Sequence, residues 1–236
     1  MEMLEEVPAV LVGGALAAGD LHIGIERKLA NSGLNFPNAA SKLSAKLARA
    51  CANNGARTLV LLGDIKDAIG WPDKQDYESL QKFFYSVRNT NLRIARGNHD
   101  AHLQELLDRL GYSIKLEQEV RIGKTTFLHG NALPSKEAML SDYIIEAHGH
   151  LAVDISGVRK KVFVIAEIGD GARFLYKNFN RNARLVLVPP LNPLILGNKI
   201  DSSTKKHLPA FRNDLFDFES ARVYAGGFLG RVRDFL

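Results

Sequence analysis

Short, continuously apolar runs alternate with longer amphipathic segments in the first half of this chain. An unbroken apolar run is typical of a strand buried on both faces, whereas apolar residues spaced three or four apart indicate a helix. The predicted strands cover residues 9–12, 15–18, 58–62 and 92–95, and the predicted helices cover residues 38–52, 72–88 and 101–110. Asn38 is a candidate N-cap of the first helix, and Gly111 is a candidate terminator of the last.

The second half of the chain is rich in strands. Its predicted strands cover residues 114–121, 125–128, 143–146, 151–156, 161–167 and 184–188. The first two form a hairpin around Gly123 and Lys124, and the last precedes the proline-rich stretch 189–193 and a charged tail from Lys199. This order of elements predicts an α/β fold in which two sheets pack together and are flanked by helices, a four-layer αββα sandwich.

The overall composition narrows the class of protein. No linker, repeat or low-complexity tract divides the sequence, so residues 1–236 are predicted to form one domain with a basic C-terminal portion from about residue 157. The one cysteine, Cys51, excludes an intrachain disulfide and fits a reducing cytosol. The apolar stretch 7–18 follows acidic residues and is shorter than the roughly 18 residues of a membrane span. We therefore expect a soluble cytoplasmic protein.

The formal net charge of +5 is concentrated at the C-terminal end. Residues 1–156 contain 17 Lys and Arg against 19 Asp and Glu, whereas residues 157–236 contain 14 against 7. A basic surface attracts polyanions such as nucleic acid, and Arg159, Lys160 and Lys161 belong to this excess. A solvated basic face on an ordinary enzyme explains the charge equally well.

Five of the seven histidines lie in short polar motifs that follow predicted strands. The motifs are Asp20-Leu21-His22, Gly63-Asp64-Ile65-Lys66-Asp67, Arg96-Gly97-Asn98-His99-Asp100, Leu128-His129-Gly130 and His148-Gly149-His150. Oxygen and imidazole ligands without a thiolate suit manganese, iron or zinc better than magnesium. The set is too large for one ion and about large enough for two ions that share a bridging ligand, which is the composition of a binuclear hydrolase centre.

Each motif has a simpler explanation when it is taken alone. An Asp-x-His triplet occurs by chance, His129 could be a packed core histidine, and Asp67 could be a helix N-cap. Asn98 and His99 could likewise belong to an ordinary connection between a strand and a helix. The order and the spacing of the five motifs are far more specific than any one of them.

Residues 18 to about 153, with these motifs in this order, resemble the calcineurin-like metallophosphoesterase superfamily. The family usually has glycine where this chain has Ala147, a difference that concerns the loop backbone and no ligand. The resemblance implies two divalent metal ions, manganese first and iron or zinc as alternatives. It assigns Asp20, His22 and His150 to one ion, Asn98, His129 and His148 to the other, and Asp64 to the bridge between them.

The same resemblance implies a mechanism. A hydroxide shared by the ions would attack the phosphorus in line. Asn98 and His99 would contact the phosphate, and His99 would lie beside the leaving-group oxygen as the catalytic histidine, oriented by Asp67. An Asp–His pair keeps an imidazole cationic and correctly aimed, which suits proton donation.

A narrower resemblance concerns the segments 20–26, 33–37 and 187–197. They look like the prokaryotic branch that is found beside DNA ligases or helicases, whose bacterial members are described as DNA endonucleases. This resemblance implies a nucleic-acid phosphodiesterase, with DNA as substrate and association with a ligase or helicase. The basic C-terminal charge adds the expectation that Arg159, Lys160 and Lys161 contact the nucleic acid. The alternatives are a small-molecule phosphomonoesterase, a nucleotide phosphodiesterase and a non-catalytic scaffold of the same fold.

Overall fold

The computed structural model describes residues 1–4 and 6–236. The first half forms a six-stranded sheet in the order β1-β2-β3-β4-β5-β6. Its strands are β1 (Glu2–Leu4), β2 (Ala9–Val12), β3 (Ala15–Ala18), β4 (Thr58–Leu61), β5 (Asn91–Ala95) and β6 (Leu116–Glu117). Strands β3 to β6 run parallel, so the carboxyl ends of β3, β4 and β5 meet at one edge of the sheet.

Helices cover the outer face of this first sheet. They are α1 (Ile25–Ala30), α2 (Ala40–Asn53), α3 (Lys74–Val87) and α4 (Leu103–Arg109). Leu47 of α2, Phe83 of α3 and Leu106 of α4 pack in one core cluster with Leu59 of β4. The N-cap of α2 is Ala39 rather than the predicted Asn38, whose side chain, one residue earlier, accepts a hydrogen bond from the Ala40 N–H at 3.0 Å.

The second half forms a seven-stranded sheet and a small three-stranded sheet. The strands are β7 (Val120–Ile122), β8 (Thr125–Phe127), β9 (Tyr143–Glu146), β10 (Leu151–Ile155), β11 (Val158–Lys161), β12 (Phe163–Glu167), β13 (Arg184–Leu187), β14 (Asn198–Lys199), β15 (Arg222–Tyr224) and β16 (Phe228–Arg231). The large sheet has the order β16-β15-β12-β13-β9-β8-β7, and the small one has the order β11-β10-β14. The short helices are α5 (Ala172–Leu175), α6 (Thr204–His207) and α7 (Pro209–Arg212), with 3-10 turns at Ala138–Leu140 and Val232–Phe235.

Three hydrophobic layers hold these elements together. Between the two large sheets, Val60 and Ala95 pack in one cluster with Phe127, Ile145 and Val186. On the outer face of the second sheet, a further cluster joins Val164 and Leu185 to Phe211 and Phe216 of the C-terminal segment. The order helices, sheet, sheet, short helices confirms the predicted α/β sandwich. Within residues 1–4 and 6–236 we find no helix whose length and hydropathy would let it cross a bilayer.

One predicted strand is divided in the structure, and one stretch that was not predicted as a strand forms one. The apolar pattern predicts one strand over 114–121, but β6 pairs with β5 in the first sheet whereas β7 pairs with β8 in the second. The chain passes from one sheet to the other between them, and hydrophobicity alone does not reveal such a crossing. Residues 158–161 form β11, which the apolar pattern misses because three of its four residues are charged.

Candidate metal centre

The seven predicted metal ligands, together with His99 and Asp67, lie in one cluster where the two sheets meet. Each residue follows the carboxyl end of a strand, namely β3, β4 or β5 in the first sheet and β8 or β9 in the second. Backbone pairing continues beyond the ends of β3 and β4, where the His22 N–H donates a hydrogen bond to the Asp64 carbonyl at 2.9 Å. The first two ligand loops are thereby fixed side by side.

The ligand atoms fall into two groups. In the first group, atoms of Asp20, His22 and His150 lie within 4.8 Å of one another, with His150 Nε2 3.2 Å from Asp20 Oδ1. In the second group, His129 Nε2 is the central atom. It lies 3.3 Å from Asp64 Oδ2, 3.1 Å from Asn98 Oδ1 and 3.1 Å from His148 Nδ1.

These separations fit ligands that share a cation. Ligands at about 2.0–2.2 Å from one ion lie roughly 2.8–3.6 Å apart in tetrahedral or octahedral arrangements. Nδ1 of His129 donates to the Leu62 carbonyl at 2.7 Å, so Nε2 of the neutral ring presents a lone pair to the cluster. The buried Nε2 atoms of His22 and His150 have no hydrogen-bond partner among residues 1–4 and 6–236. Buried nitrogens without partners are costly unless a cation satisfies them, so the donor set fits divalent metal ions.

Asp64 lies between the two groups, as the bridging assignment requires. Its Oδ2 is 3.6 Å from His22 Nε2 in the first group and 3.3 Å from His129 Nε2 in the second. Its Oδ1 instead accepts a hydrogen bond from the His99 N–H at 2.8 Å. One oxygen of Asp64 therefore faces both groups, rather than one oxygen facing each.

Asp67 contacts His99 through a different group from the one expected. Its backbone carbonyl accepts from His99 Nδ1, which leaves Nε2 of His99 directed at the cluster, 4.0 Å from Asp64 Oδ2. Its carboxylate accepts from His22 Nδ1 at 3.2 Å. The side chain of Asp67 thus orients a predicted ligand, while its main chain orients the predicted catalytic histidine.

Backbone strain is concentrated in this cluster. Of the eight non-glycine residues with positive φ in the part of the chain that is described, five are predicted metal ligands, namely Asp20, His22, Asp64, His148 and His150. Such conformations cost about 1–3 kcal/mol each and persist only where the surroundings impose them. Ala147 is not among them, and its methyl group packs against Gly19, so the departure from glycine leaves the His148 loop unstrained at that residue.

Two residues without a predicted role hold the ligand loops in place. Asp100 is buried and accepts from the Ile65 N–H at 2.8 Å and from the Gly97 N–H at 2.9 Å, which ties the second loop to the third. These loops approach so closely that a side chain at Gly97 would lie 2.3 Å from Asp64 Oδ1. In the sequence, the only signal for Asp100 is its place at the end of the third motif.

Asn192 holds the first ligand loop, which carries Asp20 and His22, in place. It is fully buried, and its Nδ2 donates to the Leu21 carbonyl at 2.7 Å. The neighbouring Leu191 N–H donates to the Gly19 carbonyl at 3.0 Å. The proline-rich stretch, which the sequence marks by its resemblance alone, therefore supports the loop that carries Asp20 and His22.

The three basic residues predicted to contact nucleic acid do not share one surface. Arg159 lines the groove that contains His99 and His150, where its guanidinium pairs with Asp154. Lys160 lines a separate depression with Pro8. The Lys161 ammonium lies alongside that depression and donates to the carbonyls of Pro190 and Asn192 at 3.1 and 2.6 Å. Burial lowers the pKa of Lys161 to about 8.

The charges within the cluster are strongly coupled. Burial opposes ionisation of Asp64, but the contacts with His129 and the His99 N–H outweigh it and hold the pKa of Asp64 far below its usual range. Burial also opposes protonation of His129, yet Asp64 and Asp20 raise the pKa of that ring to about 9. Burial and the neighbouring His129 charge lower the pKa of His148 to about 4. A cation bound here must therefore displace a proton from His129.

The fold and the site together define a metallophosphoesterase. The sequence model of the family described as calcineurin-like phosphoesterase matches residues 15–222, and the chain belongs to this family of metal-dependent phosphoester hydrolases. Among solved structures, the chain is similar to the Pseudomonas putida nuclease MPE, with a TM-score of 0.58 and 19% sequence identity over 92% of this chain and 88% of that chain. At this identity the similarity shows a shared fold. No curated protein matches the sequence.

Proposed function

We propose that this protein is a binuclear phosphodiesterase that cleaves nucleic acid, with DNA as the preferred substrate. The observation that carries the proposal is a groove of about 640 Å³ that continues past the ligand cluster. The groove is lined by His22, Asp64 and His99 of the cluster, and its lining also includes Arg159 and Lys199. A strand whose phosphodiester lies at the cluster would place neighbouring phosphates near these two cations.

The ligand roles follow the two groups of atoms. Asp20, His22 and His150 hold one ion, Asn98, His129 and His148 hold the other, and Asp64 lies between them. When bound, the ions supply positive charge that activates a water nucleophile and stabilises the phosphoryl oxygens. Manganese is the preferred metal because the imidazole nitrogens among the ligands disfavour magnesium, and iron or zinc are the alternatives.

His99 is proposed as the proton donor to the leaving group. Its Nδ1–H is occupied by the Asp67 carbonyl, so a proton carried on Nε2 points into the groove. The ring is half-buried, which leaves it accessible to a phosphate held by Asn98. Direct in-line attack by water on the opposite side of the phosphorus would then release an alcohol that is protonated by His99.

The biological setting is a further part of the proposal. The resemblance of the segments 20–26, 33–37 and 187–197 to ligase- or helicase-associated enzymes supports a role in DNA repair beside such a partner. The free, buried thiol of Cys51 suits the reducing cytoplasm. The bonds from Asn192 to the first ligand loop support one catalytic domain over residues 1–236.

To test the proposal, the protein is freed of metal with a chelator, reloaded with one metal at a time and assayed with four classes of substrate. Single- and double-stranded DNA, the corresponding RNA, bis(4-nitrophenyl) phosphate and 4-nitrophenyl phosphate are compared under manganese, magnesium, zinc and iron. We expect cleavage of DNA and of the diester, with manganese well above magnesium. Hydrolysis of the monoester alone would replace the nuclease with a phosphomonoesterase. Metal binding without hydrolysis of any substrate would favour a scaffold.

A further inference from the structure

An exposed aromatic surface is built from residues that follow Asp67 and His99 closely along the chain. Trp71 is 43% exposed, and the guanidinium of Arg109 lies over its ring, 4.5 Å from the centroid. The His102 ring approaches the indole edge-on, with the centroids 5.5 Å apart. Trp71, His102 and Arg109 together form what we call the aromatic platform.

The loop that carries Trp71 is held in one position. Lys66 is fully buried, and its ammonium donates to the backbone carbonyls of Ala68, Ile69 and Gly70. Pro72 is buried directly after the indole, and Asp73 caps α3 by accepting from the Asp76 N–H at 3.0 Å. A ring on a fixed loop loses little conformational entropy when a ligand stacks on it.

Two connections place the aromatic platform next to the reacting groups. The loop begins at Asp67, whose carbonyl receives the hydrogen bond from His99 Nδ1. His102 is three residues after His99 and directly precedes α4, which carries Arg109 in its last turn. Trp71 is therefore four residues from Asp67, and His102 is three residues from His99, so the platform is tied at two points to the Asp67–His99 pair.

The hydrophobic core does not explain the exposed ring. Trp71 belongs to none of the three core clusters among the described residues, and the adjacent Ile69 is 59% exposed. A rigid exposed indole with a guanidinium beside it combines a flat apolar surface with a positive charge. Aromatic rings of this kind stack nucleobases, and a neighbouring cation attracts the phosphate.

We propose that the aromatic platform binds an unpaired nucleobase of the strand whose phosphodiester lies at the metal centre. This inference rests on the proposed nuclease function and refines its substrate to single-stranded or locally unpaired nucleic acid. A base in a duplex has both faces covered by its neighbours, so only an unstacked base can lie on Trp71.

Trp71 is the single tryptophan of the chain, so its fluorescence reports directly on the platform. Manganese-loaded protein is mixed in a stopped-flow instrument with oligothymidylate, and separately with an abasic oligomer of the same length. Binding is recorded before turnover. Stacking predicts strong quenching by oligothymidylate and little quenching by the abasic strand. Equal quenching by both, or tight binding without quenching, would overturn the proposal.

Variants give a second measurement that does not depend on fluorescence. Trp71→Ala is expected to raise KM for single-stranded DNA by about 5- to 140-fold, while kcat for the abasic strand stays unchanged and Trp71→Phe recovers most of the loss. Tyr85→Ala is the matched control. Tyr85 is also exposed beneath an arginine, with Arg88 3.6 Å from its ring centroid, but it lies in the last turn of α3 at the opposite edge of the sheet.

The outcomes separate the two proposals. If the protein cleaves DNA and the Trp71→Ala variant has the wild-type KM for single strands, the platform proposal fails and the nuclease proposal stands. If the protein hydrolyses only small esters and no oligonucleotide quenches Trp71, both fail. A Tyr85→Ala variant as impaired as Trp71→Ala would show that the effect is not specific to the platform.

Discussion

The two large sheets contribute different chemistry to the same site. The loops of the first sheet carry the proposed oxygen ligands, Asp20, Asp64 and Asn98, and one proposed imidazole ligand, His22. The loops after β8 and β9 of the second sheet carry proposed imidazole ligands only, His129, His148 and His150. Neither sheet has a complete proposed ligand group for either ion, so both groups form only where the sheets are packed together.

The two sheets also differ in the charge of the side chains they contribute: the first contributes carboxylates, and the second contributes imidazoles. The carboxylates that attract cations are on the first sheet. On the second sheet, the lowered pKa of His148 leaves that ring neutral, and His129 offers a neutral nitrogen once its proton is displaced. Substitutions of the first-sheet carboxylates should therefore abolish metal binding and chemistry together, whereas His99→Ala should affect the chemistry alone. Changes at Arg159 and Glu146, which lie in the second half but outside the proposed ligand set, should alter substrate affinity or the pH dependence of stability more selectively. The following variants in both halves of the chain test this difference, and those with the largest expected effect come first.

Asp64→Asn is expected to abolish hydrolysis and to weaken the binding of both metals. The substitution keeps the shape of the side chain but removes the negative charge from Oδ2, the one atom that faces both ligand groups. Turnover of the nitrophenyl diester and metal content by elemental analysis would be measured on the purified variant. Wild-type turnover with two bound ions would refute the bridging role.

His99→Ala is expected to keep both ions and to lose about 10²–10⁴ in rate, the usual contribution of a positioned proton donor. A diester with a nitrophenolate leaving group should lose less than DNA, because that leaving group needs no proton. Loss of metal from this variant would instead make His99 a ligand. The Asp64→Asn variant is the contrasting control, since there rate and metal should fall together.

Removing the metals should loosen the contact between the sheets. An ion at about one hundred times its Kd stabilises the folded state by ~2.7 kcal/mol, which corresponds to a Tm change of roughly 5–10 °C for a domain of this size. Chelation, which removes both ions, should therefore lower the Tm of the wild type by at least this amount and leave Asp64→Asn nearly unchanged. Complete loss of metal without a change in wild-type Tm would show that the sheets associate independently of the ions.

Substitutions of Arg159 and of its neighbour Lys160 test whether positive charge in the groove contributes to DNA binding. Arg159→Gln should weaken DNA cleavage while sparing the small diester, and it should make the salt slope shallower by roughly 0.7–0.9 for each phosphate that Arg159 neutralises. Lys160→Gln is the matched control, because this neighbour in sequence lines a different depression. Equal effects of the two variants, or equal effects on DNA and the small ester, would assign these charges to a solvated face.

Glu146→Gln should change only the pH dependence of stability. Glu146 is buried with Oε1 unpartnered, and burial raises its pKa to about 8 despite the opposing charge of His129. A carboxyl whose pKa rises on folding favours the folded state at low pH, and this contribution is lost as the pH rises from about 4.5 through about 8. Metal-free Glu146→Gln should therefore be more stable than the wild type above pH 8, by at most about a few kcal/mol.

Denaturant melts of the metal-free proteins between pH 5 and 9 would measure this effect. Glu78→Gln, at an exposed position, is the control and should follow the wild-type curve. Parallel curves for the wild type and Glu146→Gln would mean that Glu146 is ionised in the fold with a partner that the structure does not show.

Much of the site could be predicted because it consists of strand-end motifs. Strand ends are marked locally by an apolar run that stops at glycine or a polar residue, so Asp20, Asp64, Asn98 and His148 could be placed on one rim without any coordinates. The chemistry of the set follows from residue type alone, since carboxylate, amide and imidazole side chains are what divalent ions bind. The two-sheet fold could likewise be predicted, because strands alternate with helices in the first half of the sequence and strands predominate in the second.

Tertiary structure decided which atom meets which. The sequence pairs Asp67 with His99, but the carboxylate lies on His22 and only the carbonyl reaches His99. Lys161 looks like its basic neighbours, yet its ammonium is bound by the carbonyls of Pro190 and Asn192. The position of Trp71 beside His102 and Arg109 depends on the path of a loop. Periodicity and motif spacing describe neighbours along one chain segment, whereas these contacts join segments whose relative placement is set by the packing of the whole molecule.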